Sequence, residues 1–135
     1  MGRLTAHYEP AAMDAANEDT KMIFIKDFRN VQWTLIAADS AACTIKFYVS
    51  NQETRPDLDS AVSATNQYST VDVVYLGGAS GWSKVDWDTW IIYTGSEDWQ
   101  LIVEVNNNGW NWVWIIMTAR AAWSVTASLD CYDNS

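Results

Sequence analysis

Residues 31–50 read VQWTLIAADSAACTIKFYVS, and their reading decides the fold. In an extended chain Val31, Trp33 and Leu35 fall on one side, and Gln32 and Thr34 on the other. After a small-and-polar break at 38–42, Ile45, Phe47 and Val49 repeat the pattern against Lys46 and Ser50. A period of two is the mark of strands with one face in a core. Two such runs point to an antiparallel β protein.

The same texture extends outward on both sides. Short β-rich runs occupy 22–28, 31–37, 44–50, 70–76, 89–94, 100–106, 112–119 and 123–132, eight in all. Leu101, Val103 and Val105 oppose Gln100 and Glu104, and Val125, Ala127, Leu129 and Cys131 oppose Thr126, Ser128 and Asp130. Turn chemistry separates the runs: Arg29-Asn30, a long 51–69 stretch around Pro56, the glycine loop 77–81, and Asn106-Asn107-Asn108-Gly109. The last reads as a hairpin turn, because Asn and Gly tolerate positive φ. No helical stripe of ten residues occurs. The expectation is an all-β antiparallel sandwich or jelly roll of about eight strands. Residues 1–20 form an extended N-terminal arm, ordered only where something holds it, and 21–135 form one domain.

At 135 residues the chain has the length of one ordinary domain with its own core. Eight basic against seventeen acidic side chains leave a net charge of −9, which opposes nucleic-acid binding. No apolar run reaches the roughly 18–20 residues of a membrane-spanning helix, so no membrane partner is expected. Cys43 and Cys131 are too few for a disulfide scaffold and read as buried thiols on strands, with a single bridge left open.

Candidate chemistry is sparse. The one histidine, His7, lies in the arm and reads as a surface residue, without the positioned partners a catalytic triad needs. Asp86, Asp88, Glu97 and Asp98, and separately Asp57 and Asp59, are acidic loop residues that could hold calcium, but the EF-hand spacing is missing. The glycine loop lacks the lysine of a phosphate cradle. The reading is a non-enzyme that needs no cofactor and no metal.

Nine tryptophans are the unusual feature. One small core should not hide nine rings, and exposed tryptophan is typical of contact surfaces. On 112–117, Trp112, Trp114 and Ile116 share one side, and Val113, Ile115 and Met117 the other. A strand apolar on both sides implies a second covering layer, such as a neighbouring subunit; an alternative is an open row of rings that stacks on sugars.

The stretch 104–126, EVNNNGWNWVWIIMTARAAWSVT, resembles the C-terminal hairpin of small structural proteins encoded among tailed-bacteriophage virion genes. The matching positions are Glu104, Val105, Asn106, Asn108, Gly109, Trp112, Thr118, Ala119, Arg120, Val125 and Thr126. DFRNVQWTL, TIKFYVSNQETRPDLDSA, ATNQYSTVDVVYL and Asp86–Thr89 follow in the family's order, so the resemblance covers about 23–132. Trp87, Trp90, Trp114, Trp123 and Ile116 stand where that family has small or polar residues. The resemblance implies a capsid decoration (cement) protein on the virion surface, assembled in the host cytoplasm, with the major capsid protein and itself, as a homotrimer, for partners. Trp87, Trp90, Trp112, Trp114, Ile116 and Trp123 are the expected contact residues. A tail or fibre component with a carbohydrate-binding sandwich is the alternative.

Overall fold

The computed structural model of the chain describes residues 5–8, 22–26, 28–37, 42–77, 90–94, 100–105, 109–122 and 125–133. Ten strands lie within them: β1 (Thr5–Tyr8), β2 (Ile23–Phe24), β3 (Asn30–Ala37), β4 (Ala42–Ser50), β5 (Ser69–Thr70), β6 (Val73–Gly77), β7 (Trp90–Thr94), β8 (Gln100–Val105), β9 (Trp112–Ala122) and β10 (Val125–Tyr132). The two runs of the 31–50 stretch become β3 and β4, and they lie in different sheets. The first sheet has the order β1-β10-β3-β8-β6 and the second β2-β9-β4-β5. β9 follows one edge of β4 from Ala42 to Ser50, so β7 and β5 share its other edge, at 42–46 and 48–49.

Every strand pairing among the described residues is antiparallel. β5 and β6 belong to the long connection between β4 and β7. The other eight strands sort into β1-β10-β3-β8 and β2-β9-β4-β7, which is jelly-roll order. The expected fold class is therefore the observed one; the run at 70–76 appears as β6, and β1 and β5 are strands beyond the eight expected.

The alternation read from the sequence sets the core. In the first sheet Trp33 stands between Val103 and Leu129, and Leu35 between Leu101 and Ala127, all fully buried. Their neighbours Gln32, Thr34, Ser128 and Glu104 occupy the opposite face and are partly exposed. In the second sheet Ile45 stands between Ile91 and Met117, Phe47 faces Ile115, and Val49 faces Val113. These are buried as well. Cys43 and Cys131 are both buried, one in each sheet, and form no disulfide with each other.

Two expectations change. Asn106–Gly109 does not close a hairpin, because the strands it joins, β8 and β9, belong to different sheets. Gly109 does adopt the positive φ that the turn chemistry called for, at 89°. For the same reason β9 and β10 are not a hairpin: the connection carries the chain from the second sheet to the first. The second change concerns the arm. Thr5–Tyr8 lies within 1–20, yet it is a strand of the first sheet, held by β10 from Leu129 to Tyr132.

Candidate functional site

The strand order β2-β9-β4 puts Phe24, Trp112 and Ser50 side by side on one rung of the second sheet. Antiparallel partners share a face, so these three residues, and Tyr48 one full repeat along, point the same way. Phe24 is 47% exposed and meets Trp112 edge-on, with ring centroids 5.1 Å apart. Further along, Tyr48 meets Tyr68 at 5.8 Å, again edge-on. Burial first, and then the neighbouring Tyr68, raise the Tyr48 hydroxyl above its ordinary pKa.

Beside Tyr68 lies an open cavity of about 180 Å³, lined by Val49, Ser50, Asn51, Gln67, Tyr68 and Ser69. Its floor is fixed by hydrogen bonds rather than by packing alone. Ser50 is buried; its hydroxyl donates to the Gln67 carbonyl at 2.5 Å and accepts the Gln52 amide at 3.1 Å. The Gln67 amide in turn donates to Gln52 Oε1 at 2.8 Å. These contacts bring the two ends of the 51–68 loop together, as in an Ω-loop.

Within the loop Asn66 is the hub. Its Oδ1 accepts the Asp57 amide at 2.8 Å, and its Nδ2 donates to the carbonyls of Asp57, Ser60 and Ala61. The Asp57 carboxylate accepts the Asp59 amide and the Ser60 hydroxyl, both at 2.9 Å. Tyr68 donates its hydroxyl to the Ser60 carbonyl at 2.7 Å. The loop is also tied to β9. Trp112 Nε1 donates to the Gln52 carbonyl at 2.8 Å, and Asn111 Nδ2 to the Asn51 carbonyl at 2.9 Å. Asparagine, serine and glutamine suit this work, because their side chains satisfy backbone groups that have no ladder partner.

The expected contact residues divide sharply. Trp112 is half-buried and sits in the aromatic row just described. Trp114 and Ile116 are 4% and 5% exposed, so the outward placement expected for them is corrected. The Trp114 ring stands against Trp33 of the first sheet and belongs to the core. Val113, Ile115 and Met117 are buried too, so the chain itself covers both apolar rows of β9, and no neighbouring subunit is needed to do so. Trp90 pairs with Lys46 through its backbone in β7. Trp87 and Trp123 lie outside the described residues. So do Asp86, Asp88, Glu97 and Asp98, and all of the glycine loop beyond Gly77.

Nothing in the sequence marks Phe24, although it is the most exposed member of the aromatic row. His7 is exposed but paired: its Nδ1 lies 2.5 Å from Asp130 Oδ1, directly across the β1–β10 ladder. The ordering of 51–68 had a signal in its Asn, Ser, Asp and Gln content, but composition does not say which carbonyl each side chain meets. Among the described residues no group of three or more His, Cys, Asp or Glu side chains could hold a metal ion. The surface offers rings, carboxamides and a shallow cavity, which is equipment for binding.

No family model and no curated protein match the sequence. A solved structure, that of the SPBc2 prophage-derived protein YomS, shares the fold with a TM-score of 0.66 at 10% identity. The match covers 98% of this chain and 96% of that one. The likeness is one of whole-chain architecture.

Proposed function

We propose that the chain is a structural protein of a tailed-phage virion, a decoration (cement) protein seated on the outer shell. The observation that carries the reading is the jelly roll shared end to end with a prophage-derived protein. The order of segments in 23–132 and the net charge of −9 support it, since an acidic face is suited to water rather than to packaged nucleic acid. In this reading Phe24, Trp112 and the Ser50–Gln67 cavity contribute the contact with the major capsid protein, and copies associate as a homotrimer. The pinned 51–68 loop keeps that contact rigid, which limits the ordering entropy lost on binding.

The test uses shells of the parent phage lacking this gene product. Purified protein added to them should co-sediment at a fixed number of copies per shell and raise the temperature at which shells rupture. Failure to bind shells, with immunogold labelling at the tail tip of intact virions, would favour the tail or fibre assignment instead.

A further inference from the structure

Among the described residues the first strand, β1, has one neighbour in its sheet. Among those residues it pairs only with β10, over the four positions Thr5–Tyr132, Ala6–Cys131, His7–Asp130 and Tyr8–Leu129. Its side chains add little apolar burial: Ala6 packs against the core, while His7 and Tyr8 are exposed. The backbone ladder and the His7–Asp130 pair hold it to β10. β10, by contrast, carries Val125, Ala127, Leu129 and Cys131 fully into the core and pairs with β3 along its whole length. Removing β1 therefore opens an edge of β10 without opening the core, and an unpaired edge is a template for another strand.

Fourteen residues, 9–22, connect β1 to β2. Extended, they span at most about 50 Å, which is enough to carry β1 past its own β10 to that of an adjacent molecule. The β10 ladder and the His7–Asp130 pair can both be remade on a second copy, so for these contacts the two arrangements differ only in the effective concentration of the strand. For a tether of this length that concentration is on the order of millimolar, a value that side-by-side copies on a shell can match.

From these facts we infer that β1 is an exchangeable strand: it docks on the β10 edge of a second copy of this chain, with His7 of one molecule paired to Asp130 of the other. The setting in which exchange dominates rests on the decoration reading. The strand exchange itself does not, and it is tested in solution without shells.

Ala6 and Cys131 face each other across the ladder, where Cα atoms lie about 4.5–5.5 Å apart, within reach of a disulfide. With Cys43→Ala in both chains, one chain carries Ala6→Cys and Cys131→Ala, and the other keeps Ala6 and Cys131. They are refolded together at millimolar concentration, oxidised and run without reductant. Exchange predicts a covalent heterodimer, which dilution before refolding abolishes. A second pair of chains needs no disulfide. His7→Asp and Asp130→His each mismatch the pair alone, but a mixture restores it across two molecules. Light scattering should then find more dimer in the mixture than in either variant. No heterodimer by the first route and no gain on mixing by the second would overturn the inference. A gain on mixing alone would sustain it, with the disulfide geometry at fault.

Discussion

The indole of Trp114 stands nearly perpendicular to that of Trp33, at 78° and with ring centroids 5.9 Å apart. One ring comes from each sheet, so this edge-on pair joins the two layers of the jelly roll. Trp33 is fully buried, and its Nε1 has no hydrogen-bond partner among the described residues. Two unlike substitutions follow from that arrangement. Trp114→Ala removes a large buried ring and leaves a cavity, and should lower stability by about 3–5 kcal/mol in urea titration. Trp33→Phe keeps a ring while deleting an unsatisfied N–H, and should cost less than about 2 kcal/mol, because the relief of the buried donor offsets part of the lost volume. Equal losses in the two variants would mean that the indole N–H is satisfied.

Asn66 holds the 51–68 loop through four hydrogen bonds to backbone groups. Asn66→Ala should cost about 1–3 kcal/mol. Amide exchange should also accelerate at Asp57, whose N–H loses its acceptor. Exchange in β3 and β8 should not change, since those strands lie in the other sheet.

Phe24 is nearly half exposed and meets Trp112 edge-on. If the proposed decoration role holds, Phe24→Ala should leave the melting temperature almost unchanged while weakening shell attachment by about 2 kcal/mol, the behaviour of an interface hot spot. Co-sedimentation across a protein concentration series reads the second quantity, and calorimetry the first.

Burial, and then the adjacent Asp130 carboxylate, push the Cys131 thiol up to about 12, against 9.0 for the free group. Between those values the folded chain keeps a proton that the unfolded chain has lost. The folded state then binds more protons, so stability falls as pH rises above about 9. Cys131→Ala should flatten that decline between pH 9 and 10.5 in denaturation measured at each pH. At pH 8 the native thiol should resist a thiol reagent that the unfolded chain consumes at once.

Gly109 has a φ of 89°, and a Cβ placed there meets nothing within 4 Å. Gly109→Ala should therefore cost about 1–2 kcal/mol from the backbone alone, with no repacking of neighbours. Thermal unfolding of Gly109→Ala beside Gly77→Ala is the control, since Gly77 is equally open and has no positive φ.

Much of the architecture was legible in residue order. Period-two alternation in 31–37, 44–50, 100–105 and 125–131 named the strands and the buried row of each, because a side chain's face in an extended chain depends only on its parity. Turn chemistry at 106–109 announced a positive φ, and Gly109 has one. Local chemistry stops there. A turn sequence constrains two or three dihedral angles and says nothing of which strand the next segment will pair with, so β8 and β9 part into different sheets. β9 is apolar on both sides and carries no parity signal at all. Only the packing of two sheets decided that Trp114 would turn to Trp33 rather than to a neighbour. The four residues of β1 were too short to show a pattern and became a strand because β10 had an edge to fill. Parity and turn chemistry are properties of adjacent residues and can be read in order along the chain. Pairing, cover and edges are contacts between segments distant in sequence, and they exist only once the chain has folded.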